Sequence, residues 1–234
     1  MRHQYYDYAV ISLMLFFLAI DAHATTFQIQ DGSKLYNAQL DVAQCEYAEC
    51  SGNAQIKLYK KGSKKIFQTL MSDDLNFYLN KKQQPSVNVI QLYNEQSPLI
   101  FNDFNFDGQQ DLAIRNGNNS SYGGPSYDVY VFNKTRQQFV PSSELTDLVL
   151  ENLGMFQTDT QRKRLITFAK SGCCFHVTSE YAVIPNQGLK LVYELIEDAM
   201  GGGEQVKVTT KRYNLTTKKW YTNVKNFPLK QYYQ

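Results

Sequence analysis

The sequence predicts an all-β protein built from short antiparallel hairpins. After residue 24, Tyr, Phe, Val, Ile and Thr alternate with polar residues, which is the period of a strand with one buried face. Polar turns interrupt these stretches at uneven intervals. Five hairpins are therefore predicted, over residues 55–70, 87–101, 127–140, 181–195 and 206–221. Such hairpins suit a β-propeller of five small blades or, alternatively, a β-sandwich.

One helix is expected among these strands, over residues 144–153. Ser142 or Ser143 is the predicted N-cap, because a hydroxyl there can accept a hydrogen bond from a free backbone N–H of the first turn. The apolar residues of the segment fall on one helical face: Leu145, Leu148, Val149 and Leu153. A loop lying over the sheet is the alternative interpretation.

The first 24 residues are predicted to be a cleaved export signal. Residues 9–20 are an apolar run, and Ala22-His23-Ala24 is a small-residue cleavage pattern. The run is shorter than the about 20 residues that a membrane-spanning helix needs. We therefore expect a soluble periplasmic protein with one domain over residues 25–234 and no stable membrane insertion after cleavage.

The net charge and the number of histidines limit the classes of function that the chain can have. The chain has 24 basic and 22 acidic residues, a net charge of +2, and no basic block that would indicate nucleic-acid binding. Two of its three histidines, His3 and His23, lie in the predicted leader, so His176 alone remains. A Ser-His-Asp triad or a multi-histidine zinc site would depend on that one imidazole. We expect a binding protein and not an enzyme, although two-carboxylate chemistry needs no histidine.

Residues 103–112, DFNFDGQQDL, form a predicted calcium loop. Oxygen-bearing side chains stand at positions 1, 3, 5 and 9, a glycine at position 6 permits the turn, and a backbone carbonyl can serve at position 7. The helix-flanked calcium loop would have Glu at position 12, where this chain has Ile114 in a strand-like segment. The expected Ca²⁺ would therefore brace a loop that leads into a strand. Its predicted ligands are Asp103, Asn105, Asp107, Gln109 and Asp111.

The four cysteines, Cys45, Cys50, Cys173 and Cys174, suit disulfides in an exported chain. We favour Cys45–Cys50 and Cys173–Cys174, because two adjacent thiols cannot easily both reach distant partners. The two cross-paired arrangements stay open. A Cys–His nucleophile in Cys173-Cys174-Phe175-His176 is a weaker alternative, since no third group that would orient the imidazole is evident.

Two irregular stretches are candidates for binding. Residues 116–125, NGNNSSYGGP, are too polar to be buried, and Tyr122 is their one large side chain. Residues 197–204 contain three consecutive glycines. Binding residues concentrate on loops held by rigid scaffolds, and we expect the calcium loop to anchor the base of the first stretch.

Three segments carry a resemblance to a known family: residues 102–113, Asn116-Gly117 and residues 123–130. Together they resemble the exported calcium-binding β-propeller proteins related to type I lysozyme inhibitors. Members of that family serve as periplasmic immunity proteins against peptidoglycan hydrolases. The resemblance implies a β-propeller and a lysozyme-like hydrolase as the partner. The family's inhibitory Ser-Gly-x-x-Tyr loop is matched nearest by residues 171–175, with Phe175 in place of Tyr, and the lipid-bearing cysteine of many members is absent.

The resemblance implies inhibition by insertion of a rigid loop into the hydrolase cleft. The residues expected to contact the partner are Tyr122, Gly123, Gly124, Ser171, Gly172, Phe175 and His176. A calcium-braced adhesion or glycan-binding module is the alternative function.

Overall fold

The computed structural model describes residues 24–233, in which fourteen strands form three antiparallel sheets. Each sheet is a meander of strands that are consecutive in the sequence. The predicted leader, apart from Ala24, lies outside the described residues. Within residues 24–233, no helix combines the length and apolarity needed to cross a bilayer.

The first sheet contains the strands β1 to β4 in sequence order. Their bounds are Thr25–Ile29, Tyr36–Glu46, Glu49–Lys60 and Ile66–Tyr78. Along β2, buried residues alternate with more exposed ones, so this sheet presents one face to the core and one to solvent.

The second sheet contains the four shorter strands β5 to β8, again in sequence order. Their bounds are Leu99–Asn102, Asp111–Arg115, Tyr127–Asn133 and Gln138–Pro141, and the helix α1, Ser143–Leu150, follows directly. In β5 and β6, consecutive residues are buried without alternation, which indicates a sheet covered on both faces.

The third sheet contains six strands in the order β14-β13-β12-β11-β10-β9. These strands are Gln157–Asp159 (β9), Arg164–Ser171 (β10), Phe175–Ile184 (β11), Gly188–Asp198 (β12), Gln205–Asn214 (β13) and Lys219–Pro228 (β14), and a short helix α2, Leu229–Tyr232, ends the described chain.

Two hydrophobic clusters meet at the second sheet. Leu99, Leu112 and Ile114 pack with the apolar face of the first sheet. Ile100 and Ala113, which point to the opposite side, pack with α1 and with Leu165 of the third sheet. The second sheet is therefore the middle layer of the molecule.

Four of the five predicted hairpins are confirmed as β3–β4, β7–β8, β11–β12 and β13–β14. The prediction for residues 87–101 is wrong, because residues 87–93 form only isolated bridges. Asn88 has a positive φ of 61°, and its side chain donates to the Gly32 carbonyl and accepts from the Phe101 N–H. These bonds fix a turn where the alternating pattern predicted a strand.

The grouping of the strands differs from the five predicted hairpin blades. The strands assemble into sheets of four, four and six strands, and β1 and β2 extend the first sheet beyond the predicted hairpin. The all-β class is confirmed. In the predicted helix, Leu145, Leu148 and Val149 are buried as expected, but α1 ends at Leu150. Leu153 is buried beyond the end of the helix.

Truncating the middle layer should strongly reduce stability. Ile114→Ala removes methyl groups from a side chain that is 0% exposed and packs with the first sheet, so we expect the free energy of unfolding to fall by about 2–5 kcal/mol. Ile66→Ala is the matched control, because Ile66 is 46% exposed. Denaturant unfolding measures both variants, and similar losses of stability in the two would contradict the central position of the second sheet.

Candidate functional site

Three loops converge at one end of the molecule. They are residues 116–126 between β6 and β7, residues 172–174 between β10 and β11, and residues 199–204 between β12 and β13. The Tyr122 hydroxyl accepts a hydrogen bond of 2.7 Å from the Gly172 N–H, and the Ala199 N–H donates to the Cys174 carbonyl at 2.8 Å. The structure therefore brings together the stretches that the sequence predicted as separate binding loops.

Lys170 joins a second tyrosine to this group. Its ammonium nitrogen lies 4.8 Å from the ring centroid of Tyr122 and 5.0 Å from that of Tyr93. Both tyrosines are largely exposed, at 61% and 65%. We call Tyr93, Tyr122, Lys170 and the 172–174 turn the tyrosine rim. It combines two aromatic faces with one positive charge, a combination that contributes cation–π attraction at an exposed site.

The other predicted contact residues lie on or near this rim. Gly123 and Gly124 immediately follow Tyr122, and Ser171 and Gly172 lie at the β10–β11 turn. Phe175 and His176 are placed differently, since both are half-buried in β11 and pair with Ser171 and Lys170. They support the turn from the sheet, whereas Tyr122 projects from the surface.

The backbone at Tyr122 is held in a conformation that aromatic residues seldom adopt. Tyr122 has φ +59° within a single 3-10 turn, Ser121–Gly123. Gly124 closes this turn against Ser120, and a Cβ at Gly124 would lie 2.8 Å from the Ser120 hydroxyl. The Ser121 N–H donates to the Asn152 carbonyl. Such backbone strain persists only where surrounding contacts fix it, and it often marks a functional site.

Asn116 is the residue that anchors the base of the 116–126 loop. Its amide oxygen accepts from the Asp74 N–H at 3.0 Å, and its amide nitrogen donates to Asp128 at 2.9 Å. Its backbone N–H donates to Ser126, and the Gly117 N–H donates to the Asp74 carbonyl. One amide side chain thus ties the loop to β4 and to β7.

The predicted anchoring of this loop by the calcium loop is wrong. Residues 103–110 precede β6 and the 116–126 loop follows it, so the two lie at opposite ends of a five-residue strand. That separation is about 15 Å at the usual rise of a strand.

Within the predicted calcium loop, oxygen-bearing side chains turn inward onto the backbone. Oxygens of Asp103 and Asn105 both accept from the Asp107 N–H, at 3.1 and 3.0 Å. Asp103 also accepts from Gly108, and Asp107 accepts from the Gln109 N–H. Gly108 takes φ +83°, as the predicted turn requires. Each of these oxygens keeps a lone pair that a hard cation can use.

Asp111 acts differently from the predicted closing ligand. It is fully buried, and its carboxylate accepts from the N–H groups of Phe104 and Asn105 on one side and of Phe132 on the other. Burial raises the pKa of Asp111 to about 7, while these three donors favour the ionised form. Asp111 therefore ties the loop to the end of β7 by hydrogen bonds.

The donor set fits a hard cation in part. No group of three or more His, Cys, Asp or Glu side chains within residues 24–233 is placed to hold a metal ion. The side-chain oxygens of Asp103, Asn105 and Asp107 lie close together within the loop and are partly accessible to a cation. Asp111 is fully buried, and both of its carboxylate oxygens already accept backbone hydrogen bonds. The Lys134 ammonium lies 3.8 Å from the Asp107 carboxylate and donates to its carbonyl, so a positive charge already stands beside the loop.

The favoured disulfide pairing is confirmed. Cys45–Cys50 joins paired residues of β2 and β3, and Cys173–Cys174 forms part of the tyrosine rim. None of the four cysteines is free, which removes the thiol of the alternative Cys–His enzyme.

Sequence reasoning missed Tyr93, Lys170 and the anchoring role of Asn116. Tyr93 lay in a segment that alternation predicted as a strand, and Lys170 is one residue outside the predicted loop. The Asn116-Gly117 pair was a visible signal in the sequence, because such a pair often marks a turn. In the structure, Gly117 takes φ +78° and lies against Asp74 and Asn119.

A comparison with solved structures gives a structural likeness. Neither the protein families nor the curated proteins that were searched contain a match. A solved structure described as a Xanthomonas type IV secretion system related protein superimposes with a TM-score of 0.63 at 21% sequence identity. The alignment covers 87% of this chain and 95% of the other. The two chains therefore share a fold.

The hydrogen bond from the Gly172 N–H to Tyr122 should slow the exchange of that amide hydrogen with solvent. Tyr122→Phe removes the accepting oxygen and keeps the ring under Lys170, so we expect the Gly172 amide to exchange with solvent about 2–10 times faster. Tyr93→Phe is the control, because that ring also lies under Lys170 but makes no bond to the turn. Hydrogen exchange followed by NMR provides the measurement, and unchanged exchange in Tyr122→Phe would show that the two loops are not coupled.

Proposed function

We propose that this chain is an exported, periplasmic inhibitor that binds a lysozyme-like peptidoglycan hydrolase through the tyrosine rim and blocks its cleft. The observation that carries the proposal is the bond from Gly172 to Tyr122, because it couples two loops that the sequence independently marked for binding. The protein would act by binding and not by catalysis.

The chemistry of the rim suits a cleft that contains acids. Lysozyme-like hydrolases use two carboxylates in a cleft shaped for sugar. Lys170 offers a positive charge between two tyrosine faces, and Tyr122 offers an aromatic side chain that projects from a fixed backbone. Buried aromatic anchors usually supply most of the binding energy of an interface.

The shared fold supports a role connected with secretion systems. The neighbour is described as type IV secretion system related, and our proposal extends that connection to immunity against a secreted hydrolase. The succession of three sequence-local meanders also supports a propeller-like arrangement, which we retain as part of the proposal.

The proposal includes one Ca²⁺ ion at residues 103–109. Asp103, Asn105, Asp107 and the Gln109 carbonyl would supply oxygen ligands, as a hard cation prefers. The ion would brace the far end of the middle sheet, next to Lys134 in the turn between β7 and β8, and would contribute to stability without touching the partner.

Removing the ring of Tyr122 should weaken inhibition. We expect the wild-type protein to slow peptidoglycan lysis by at least one muramidase of a broad panel, and Tyr122→Ala to raise its inhibition constant at least about 10-fold. Tyr221→Ala is the control, because Tyr221 is also exposed but lies near the β13–β14 turn, at the other end of the third sheet.

Two results of this assay would count against the inhibitor. If the protein inhibited no muramidase of the panel, the inhibitor proposal would be contradicted. If Tyr122→Ala and Tyr221→Ala raised the inhibition constant equally, the tyrosine rim would not be the binding surface. Co-sedimentation of the protein with purified peptidoglycan in the absence of enzyme would instead favour the glycan-binding alternative. The observation behind that alternative is a groove on the third sheet lined by Arg212 and by the half-buried Tyr193 and Tyr213, whose aromatic edges could contact a sugar ring.

Calcium should raise the melting temperature of the protein. A ligand that binds only the folded state stabilises it by RT ln(1 + [L]/Kd), so calcium at about 100 times Kd should raise Tm by roughly 5–10 °C. Asp107→Ala should abolish this response, whereas Asp147→Ala, on the exposed side of α1, should keep it. Differential scanning calorimetry with calcium and with chelator provides the test, and identical Tm values for the wild type would contradict the site.

A further inference from the structure

Arg115 is an arginine without an acidic partner. It is the last residue of β6 and lies half-buried where the 116–126 loop begins. No Asp or Glu within residues 24–233 forms an ion pair with it, although five other ion pairs occur there. A partly buried positive charge without a counter-charge is costly.

The hydrogen bonds of Arg115 use only part of its donor capacity. One terminal nitrogen donates to the Asn118 side chain, and the other makes a long contact of 3.5 Å with the Gln96 carbonyl. The Nε atom is buried and has no hydrogen-bond partner. A guanidinium has five N–H donors in a planar fork, so each terminal nitrogen of Arg115 still has one N–H for a ligand.

Arg115 lines a cavity of about 460 Å³. Its walls include aromatic, leucine and proline side chains from three parts of the chain: Phe77, Tyr78, Leu79, Pro98 and Pro125. The other half of the lining is polar: Asn80, Asn94, Glu95, Gln96 and Arg115. Apolar walls combined with placed polar groups are typical of sites that bind small molecules or single side chains. The apolar walls also strengthen the attraction between a guanidinium and an anion, because they lower the dielectric constant around it relative to bulk water.

We propose that this cavity binds a carboxylate through Arg115. A carboxylate matches the planar fork with two parallel hydrogen bonds, which a lysine could not supply in the same geometry. The ligand chemistry is a carboxylate attached to a flat or short apolar body, either as a free small molecule or as an acidic side chain of a protein. This inference does not depend on the hydrolase proposal.

One acidic residue opposes such a ligand and thereby provides a control. Glu95 lines the same cavity but is exposed and forms no ion pair with Arg115. Asp74 is the other nearby carboxylate, exposed and beyond ion-pair distance. Glu95→Gln should therefore strengthen carboxylate binding about 2-fold, because it removes a like charge in a well-solvated position.

The test is an NMR titration of the full disulfide-bonded protein, observed at the Arg115 Nε–H resonance. The free-acid probes are benzoate and its neutral counterpart benzamide. The protein-borne probes are acetyl-Gly-Asp-Gly-amide and its Asn counterpart. We expect a saturable shift of the Arg115 resonance with a charged probe and none with its neutral counterpart. Arg115→Lys lacks that resonance and is followed at the backbone amide of Leu79 in the cavity wall. It should weaken binding at least about 10-fold, since it keeps the charge and loses the fork.

The two arms identify the source of the ligand. A shift with benzoate alone indicates a small molecule, a shift with the Asp peptide alone indicates a protein side chain, and a shift with both supports the shared chemistry. No shift with either charged probe, or equal shifts with charged and neutral probes, would overturn the proposal. If Arg115→Lys fails to fold, the wild-type titration and the gain in Glu95→Gln decide the question, and loss of muramidase inhibition plays no part in it.

Discussion

The structure depends on a middle sheet that is buried on both faces. Neighbouring residues of β5 and β6 serve different cores, so that Leu99 and Leu112 pack toward the first sheet while Ile100 and Ala113 pack toward α1 and the third sheet. A shift of one residue in register would exchange these two sets. The strands are short, yet few positions in them tolerate change, and their two ends are therefore fixed points from which loops can project.

The two ends of β6 serve different purposes. At its start, the buried Asp111 joins residues 104–105 to the end of β7 through backbone N–H groups. At its end, Arg115 and Asn116 fix the loop that carries Tyr122. The rigid strand β6 thus connects the oxygen-rich loop to the binding rim. A cation at the first would stabilise the fold, and the geometry of the second would follow from the packing of the sheet.

The sequence predicts local features of this protein better than their assembly. Alternation identified four hairpins, and adjacency of the cysteines favoured the observed pairing. The alternation of apolar and polar residues gave a wrong prediction at residues 87–93. There the Asn88 side chain bonds to backbone groups of Gly32 and Phe101 and fixes a turn. Such a bond depends on tertiary partners that no periodicity reveals. For the same reason Tyr122 was predicted as a contact residue, but Tyr93 and Lys170, which meet it only in the folded chain, were not.

The tyrosine rim and the Arg115 cavity belong to one surface, because the cavity beside Tyr93 and Tyr122 shares Gln96 and Pro125 with the cavity that Arg115 lines. Gln96 is buried, accepts from the Met155 N–H and closely approaches Gly154, so both cavities rest on the same fixed residue. Because these contacts already order the surface in the free protein, little conformational entropy is lost there when a partner binds. The surface therefore combines the rings of Tyr93 and Tyr122 with Arg115, which has no ion-pair partner in the described part of the chain. Such a combination suits a partner that presents an acid next to an apolar or sugar-like surface.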